Sequence, residues 1–165
     1  MTESARRSLL AGRSDQPLDD RKVRAVSSTF DGLDYGIPYR FEDGASTAFR
    51  VETDLGETYG IVVFGRDIYP GTSIIDPNSA LSMKAAAAHE LSHFHRWTDQ
   101  TQLPEEHLEH LDEALTSLDA ALRYSAQLSA HEIQQLTRDA MQRLQMYYAT
   151  VAVPDDQPSG PQSPG

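Results

Sequence analysis

The chain has 165 residues and a formal net charge of −11 at pH 7, from 14 lysines and arginines against 25 aspartates and glutamates. This length suits one hydrophobic core. Nucleic-acid binders need the opposite charge, so we expect no nucleic-acid partner. The absence of cysteine excludes disulfides, thiolate metal sites and a cysteine nucleophile. Any metal ion would have to be bound by histidines and carboxylates.

Both ends of the chain differ in composition from its middle. Residues 1–17 are polar without a sustained hydrophobic period, and residues 151–165 are rich in proline, glycine and serine. We expect both to be flexible, around a single domain of residues 18–150. No apolar stretch reaches membrane-spanning length, and residues 1–10 lack a hydrophobic signal core, so the sequence predicts a cytoplasmic protein with no membrane partner.

Hydrophobic periodicity predicts a helix, a small sheet and then three helices. The first helix is expected near residues 18–30. Short strands are expected at 38–42, 45–53, 59–64 and 72–76, with a turn at Leu55 and Gly56. Helical periods follow at about 82–97, 104–124 and 130–150. The order predicts an α+β fold with a mostly antiparallel sheet.

The first of the three C-terminal helices contains the motif H-E-x-x-H, formed by His89, Glu90 and His93 with Leu91 and Ser92 between. A helix turns about 100° per residue, so the two histidines lie one turn apart on one face and can reach one ion. Glu90 lies beside that face, where its carboxylate can act as a general base on a metal-activated water. The motif therefore predicts a catalytic zinc site.

Zinc in such a site needs a third protein ligand, with the fourth position left to water. The candidates are His95, His107, His110 and Glu113. His95 points away from His93, because the two are only two positions apart on a helix. The predicted second C-terminal helix has a face of small residues that suits packing against the alanines at 85–88 and that includes Glu113. We therefore expect Glu113 to be the third ligand.

These residues resemble the motif of the gluzincin metallopeptidases. In thermolysin-like members the glutamate ligand follows the second histidine by twenty positions, as Glu113 follows His93 here. The order of elements is also similar to that of ImmA/IrrE-type metallopeptidases and minimal gluzincins. The resemblance covers about residues 55–120 and implies a zincin-like fold, one Zn²⁺ on His89, His93 and Glu113, and a protein or peptide substrate. It also leaves room for a regulatory protein partner.

The same resemblance suggests roles for residues around the motif. The run Tyr59, Gly60, Ile61, Val62, Val63 resembles the strand that pairs with an extended substrate. Thermolysin-like enzymes place an aspartate four residues after the glutamate ligand to orient a zinc histidine. Here that position is Ser117, which leaves Asp112, Thr116 and Ser117 to contact the ligands. The candidates for stabilising the oxyanion are Tyr124, His110, Tyr147 and Tyr148.

Two other functions are compatible with the motif. A non-catalytic zinc module, structural, sensory or partner-binding, is favoured by the small size and by the lack of a matching oxyanion residue. A ferritin-like di-iron site would use Glu90 and His93 with Glu106, Glu109, Glu113 or Glu132. That site needs a four-helix bundle, which the strand-rich segment 36–76 disfavours.

Overall fold

The computed structural model describes residues 16–69 and 80–152. Its elements are α1 (Asp20–Leu33), β1 (Tyr39–Phe41), β2 (Ala48–Asp54), β3 (Glu57–Phe64), α2 (Met83–Thr98), a short 3-10 helix (Glu106–Leu108), α3 (Glu109–Arg123) and α4 (Ala130–Val151). The predicted α+β class and element order are confirmed. The strand expected at 72–76 and most of the ends expected to be flexible lie outside the described residues. Within those residues, no helix combines the length and apolarity needed to cross a membrane.

Side-chain caps explain where the helices begin. Asp19 accepts a hydrogen bond from the Lys22 amide at the start of α1, and Ser82 accepts one from the Ala85 amide at the start of α2. At α4, Ser129 and Glu132 form a reciprocal capping box. The H-E-x-x-H motif therefore lies well inside a capped helix.

The three strands form one sheet in the order β1-β3-β2. β2 and β3 are antiparallel, and a two-residue turn with positive φ at Leu55 and Gly56 joins them. β1 runs parallel to β3, with Tyr39 opposite Val62. The central strand, β3, therefore contains the run of residues that was predicted to pair with a substrate. That prediction is wrong for Val62 and Val63, because β1 and β2 flank them on both sides.

Both α1 and α2 pack on one face of this sheet. Phe30 of α1 stacks on Tyr39 with ring centroids 5.1 Å apart and contacts Phe64 at 5.4 Å. The alanines at 85–88 of α2 are buried, and their small size allows neighbouring elements to approach closely. α2 also packs against α3 and α4. The motif helix is therefore enclosed between the sheet and the last two helices.

The buried face of α3 consists of small residues; the packing face predicted for this helix did not include Thr116, which is also buried. The members of the buried face are Ala114, Thr116, Ser117, Ala120 and Ala121. Leu115 and Leu122, by contrast, are exposed to solvent. Close packing of the small face against α2 brings the start of α3 next to the motif histidines.

Candidate metal centre

The structure brings the three predicted metal ligands together. His89 and His93 lie one turn apart on α2 with ring centroids separated by 4.9 Å. Glu113 reaches them from α3: its Oε2 lies 2.9 Å from His89 Nε2 and 3.3 Å from His93 Nε2. The three ligand atoms all lie within 4.8 Å of one another. This group of two imidazoles and one carboxylate could hold a metal ion.

Burial gives the cluster one enclosed side and one accessible side. His89 and His93 are buried, whereas the Glu113 side chain is 25% exposed. Metal sites with two histidines and one carboxylate suit several divalent transition metals. The exposed part of Glu113 is therefore the side of the cluster that solvent reaches.

Glu90 gives an independent sign that a group is expected in this space. Its carboxylate is buried, and Oε2 has no hydrogen-bond partner among the described residues. An unpartnered buried carboxylate oxygen is costly, so native structures usually supply a partner. A metal ion with its water beside His89 and His93 fits this requirement.

The charges around the cluster favour a dication. Three carboxylates act on the buried Arg143 guanidinium, those of Asp139, Glu113 and Glu90. With neutral imidazoles these four groups carry a net of two negative charges. A divalent cation would balance that charge.

The pKa values of two ligands respond to their proximity. Burial alone would raise the pKa of Glu113, but contacts with His93 and His89 outweigh it and hold that pKa well below its ordinary value. Burial alone would lower the pKa of His93, but Glu113, together with Glu90 and Asp112, raises it above the ordinary imidazole value. In the metal-free protein, the carboxylates beside His93 therefore favour its protonated form more than solvent would.

Ser117 contacts a metal-ligand candidate, and it does so together with residues that the sequence analysis missed. Its Oγ lies 2.8 Å from His89 Nδ1 and donates to Asp139 Oδ2 at 2.5 Å. Arg143 Nε donates to the same Asp139 oxygen at 2.8 Å, and Arg143 Nη1 lies 3.5 Å from Glu113 Oε2. Asp139 and Arg143 are both buried on α4. The sequence gives one indication of their role, because Asp139 and Arg143 lie four positions apart next to the buried apolar residues of α4.

Thr116 and Asp112 lie on the His93 side of the cluster. Thr116 Oγ1 is 3.5 Å from His93 Nδ1, accepts from Arg96 and donates to the Asp112 carbonyl. The Asp112 carboxylate pairs with Arg96 at 2.8 Å and accepts from the Leu103 amide. Asp112 thus anchors Arg96, while Thr116 is the closer of the two to a histidine.

Tyr124 does not belong to the cluster. It lies eleven residues after Glu113, about 16 Å along α3, and its hydroxyl donates to Asp34 at 2.8 Å. His95 Nε2 lies 2.7 Å from the same Asp34 carboxylate, which confirms that His95 points away from the motif histidines. The prediction that Tyr124 lies at the catalytic face is wrong, because the helix places it on the correct side but three turns too far along.

The other predicted oxyanion candidates lie at different distances from the centre. His110 is half-buried on the first turn of α3, one turn before Glu113. Tyr147 is half-buried on α4, one turn after Arg143, and Tyr148 is exposed. His107 is exposed and pairs with Glu105. Helical spacing places Tyr147 on the same face of α4 as Arg143, which lies near Glu113.

The additional carboxylates required by a di-iron site lie elsewhere. Glu106 and Glu109 are exposed, and Glu132 accepts a hydrogen bond from Ser82. Among residues 16–69 and 80–152, the group of His89, His93 and Glu113 is the one metal-ligand cluster found. The geometry therefore favours a single ion.

The edge strand β2 borders the centre. Phe49 stacks on the His93 ring at 6.4 Å with an interplanar angle of 14°, and it contacts Trp97 at 5.8 Å. Gly60 lies against the Phe49 and Trp97 rings, because a Cβ there would come within 2.9 Å of each. The contact ties the position of His93 to the sheet.

Among the described strands, β2 forms one edge of the sheet. The Val62 amide donates to Pro38 of the β1 side, so alternation along β3 directs its odd-numbered residues toward β2. Given the register of Phe49 opposite Val62 and Val51 opposite Gly60, the peptide groups of Phe49, Val51 and Thr53 point outward. No described strand covers them.

Comparisons with protein-family models, with curated proteins and with solved structures returned no match. The interpretation of the centre therefore depends on its own geometry and chemistry. A buried His89, His93 and Glu113 group able to bind a metal ion is what that geometry establishes.

Proposed function

We propose that the protein is a zinc-dependent metallopeptidase, with one Zn²⁺ on His89, His93 and Glu113. The observation that carries the proposal is the convergence of these three ligand atoms within 4.8 Å beside a buried Glu90 oxygen that lacks a partner. A purely structural zinc site is usually closed by four protein ligands. Three ligands and a free carboxylate are typical of a hydrolytic site.

The residues of the centre divide the chemistry between them. A zinc ion bound there would acidify a water molecule and polarise a peptide carbonyl. Glu90 has an oxygen free to accept the proton and to pass it to the leaving amine. Because Glu90 is buried, this transfer takes place away from bulk solvent, where electrostatic interactions are stronger.

β2 is the part of the sheet best placed to bind a substrate. An extended peptide can add to a free strand edge through main-chain hydrogen bonds. Such an edge is available at Phe49 and Val51, and Phe49 touches His93. A cavity of about 720 Å³ lies beside Trp97, which packs against Phe49. We therefore place the substrate along β2, with a side chain directed toward this cavity.

A non-catalytic zinc module is the second candidate function. It is favoured by the position of Tyr124, whose hydroxyl is bonded to Asp34 instead of facing the cluster. Without an oxyanion-stabilising group, the centre would bind metal but turn over slowly. Tyr147 and His110 remain the residues that could supply this group.

Elemental analysis and a peptide-cleavage assay on the full chain test the proposal. We expect one zinc per chain and cleavage of some members of a fluorogenic peptide library. Glu90→Gln should retain zinc while lowering kcat by about 10²–10⁴-fold. Glu109→Gln, which changes an exposed glutamate on α3, is the matched control and should leave both unchanged.

The outcomes separate the candidate functions. Zinc binding without cleavage of any library member would favour the non-catalytic module. Wild-type kcat in Glu90→Gln would show that Glu90 is not the base. A chain that binds no divalent metal would refute both candidates.

A further inference from the structure

Three residues connect α4 to the metal-binding face of α2. Arg143 Nε donates to Asp139 Oδ2 at 2.8 Å, and both side chains are buried. A guanidinium has donors only, so this Asp139 oxygen acts as an acceptor. Two donors, Arg143 Nε and Ser117 Oγ, thus share this one oxygen.

The direction of the next hydrogen bond follows from this acceptor. A serine hydroxyl has a single proton. Ser117 Oγ lies 2.5 Å from Asp139 Oδ2, so its proton is directed to Asp139. Only lone pairs remain on Ser117 Oγ for the contact with His89 Nδ1 at 2.8 Å. In that contact Nδ1 must be the donor, and it must carry a proton.

We propose that Arg143, Asp139 and Ser117 are positioning residues that fix His89 as the Nδ1–H tautomer and so reserve its Nε2 lone pair for the metal ion. The inference rests on the metal-binding role of His89 in the proposed function. The contacts from Arg143 through Asp139 and Ser117 to His89 are called the relay below. Through this relay, α4 influences a proposed metal ligand on α2. Hydrogen-bond partners of this kind fix the orientation of a metal-bound imidazole and raise its basicity.

Arg143 extends the same control to a second ligand. Its Nη1 lies 3.5 Å from Glu113 Oε2, the oxygen that also faces His89 Nε2 at 2.9 Å. One guanidinium therefore acts on His89 through two intermediates and on Glu113 directly. Displacement of α4 would alter both ligands together.

The tautomer can be measured directly in the wild-type protein. In ¹⁵N-histidine-labelled chain, long-range ¹H–¹⁵N correlation spectra distinguish a protonated Nδ1 from an unprotonated one. We expect His89 Nδ1 to carry a proton in the zinc-loaded and in the metal-free protein, and Ser117→Ala to change the Nδ1 chemical shift. An unprotonated Nδ1 in the wild type would overturn the proposal.

Zinc affinity gives a second measurement that does not depend on turnover. Asp139→Asn and Ser117→Ala should each weaken Zn²⁺ binding by about 10–100-fold in competition with a chromophoric chelator. The matched control is Asp119→Asn. Asp119 forms the same type of pair with Arg123, Nε to Oδ2 at 3.0 Å and four residues apart, on a more exposed face of α3. Unchanged affinity in both relay variants would overturn the proposal.

These measurements distinguish misfolding of a variant, and absence of peptidase activity, from failure of the relay. Circular dichroism and thermal melts identify any variant that does not fold, and in that case the wild-type spectrum decides. A protonated Nδ1 in a protein that cleaves no peptide would refute the peptidase but support the relay. Turnover with an unprotonated Nδ1 would refute the relay alone.

Discussion

Glu113 Oε2 lies 2.9 Å from His89 Nε2, although the two residues are on different helices and 24 positions apart. Ser117 Oγ contacts Nδ1, the opposite nitrogen of the same imidazole ring, and donates its own proton to Asp139. A carboxylate and an imidazole lone pair repel each other at this distance unless a proton or a cation lies between them. A proton on His89 Nε2 satisfies this requirement in the metal-free protein, and a metal ion bound between the two residues would take its place.

Removal of the Glu113 carboxylate should weaken metal binding. We expect Glu113→Ala to lower zinc affinity by about 10–100-fold or more, because it removes a direct ligand. The matched variant Glu109→Ala changes an exposed residue one turn earlier on α3 and should have no effect. Isothermal titration or chelator competition measures both, and equal affinity for the two variants would place the third ligand elsewhere.

Metal affinity should fall on acidification. Contact with Glu113 raises the pKa of His93 in the metal-free protein above the ordinary 6.5, although burial opposes the shift. A zinc ion bound to His93 would have to displace this proton, because metal ions bind the neutral imidazole. Affinity should therefore decrease as the pH falls through the raised pKa. An affinity that is constant between about pH 8 and pH 5 would contradict His93 as a ligand.

The metal-free protein should show a different dependence of stability on pH. The raised pKa of His93 contributes stability that is fully present below 6.5 and is lost as the pH rises through the folded-state value. The lowered pKa of Glu113 contributes stability that is present above its ordinary 4.5 and is lost as the pH falls through the folded-state value. Chemical denaturation of the metal-free chain should therefore find both stabilising contributions fully present between pH 4.5 and pH 6.5.

A Glu113→Gln variant isolates these contributions. Without the carboxylate, the difference in the free energy of unfolding between about pH 5.5 and pH 8 should become smaller in the metal-free protein. The exposed variant Glu109→Gln provides the comparison. The same pH profile in Glu113→Gln as in wild type would mean that other groups control it.

Much of the centre could be predicted from sequence because its residues follow local rules. The spacing of His89 and His93 fixes them on one helical face, and a serine, Ser82, caps the start of that helix. Asp139 and Arg143 were not predictable in the same way, since their role depends on how α4 is rotated against α3. Tyr124 was a different kind of error, because its separation of eleven residues from Glu113 already implied a distance of about 16 Å along one helix.

The order of the strands in the sheet could not be predicted from local sequence patterns either. The apolar run that ends at Phe64 indicates burial, and burial is what the structure shows. Periodicity does not reveal that β1 returns parallel to β3 and makes it the central strand. The edges of the described sheet thus belong to β1 and β2, and β2 is the one that contacts His93 through Phe49.

Gly60 should be sensitive to substitution because of its aromatic neighbours. A Cβ there would lie 2.8 Å from Phe49 and 2.9 Å from Trp97, so Gly60→Ala should push Phe49 against His93 and destabilise the fold by about 1–3 kcal/mol. Gly32→Ala in α1 is the contrast, because a Cβ there meets nothing within 4 Å. It should stabilise by about 0.4–1 kcal/mol. Urea denaturation measures both, and equal effects would contradict the packing around Phe49.

The free edge of β2 should determine substrate affinity if the protein is a peptidase. The Val51 amide points away from β3, so Val51→Pro removes a donor to the substrate but no hydrogen bond of the sheet. We expect KM to rise by about tenfold, the effect of losing about 1.4 kcal/mol of binding, with kcat largely retained. Thr58→Pro is the control, because the alternation along β3 directs the Thr58 amide to the opposite side of the hairpin. A similar KM for Val51→Pro, Thr58→Pro and wild type would mean that the substrate does not add to β2, since only the Val51 substitution alters the edge next to Phe49 and His93.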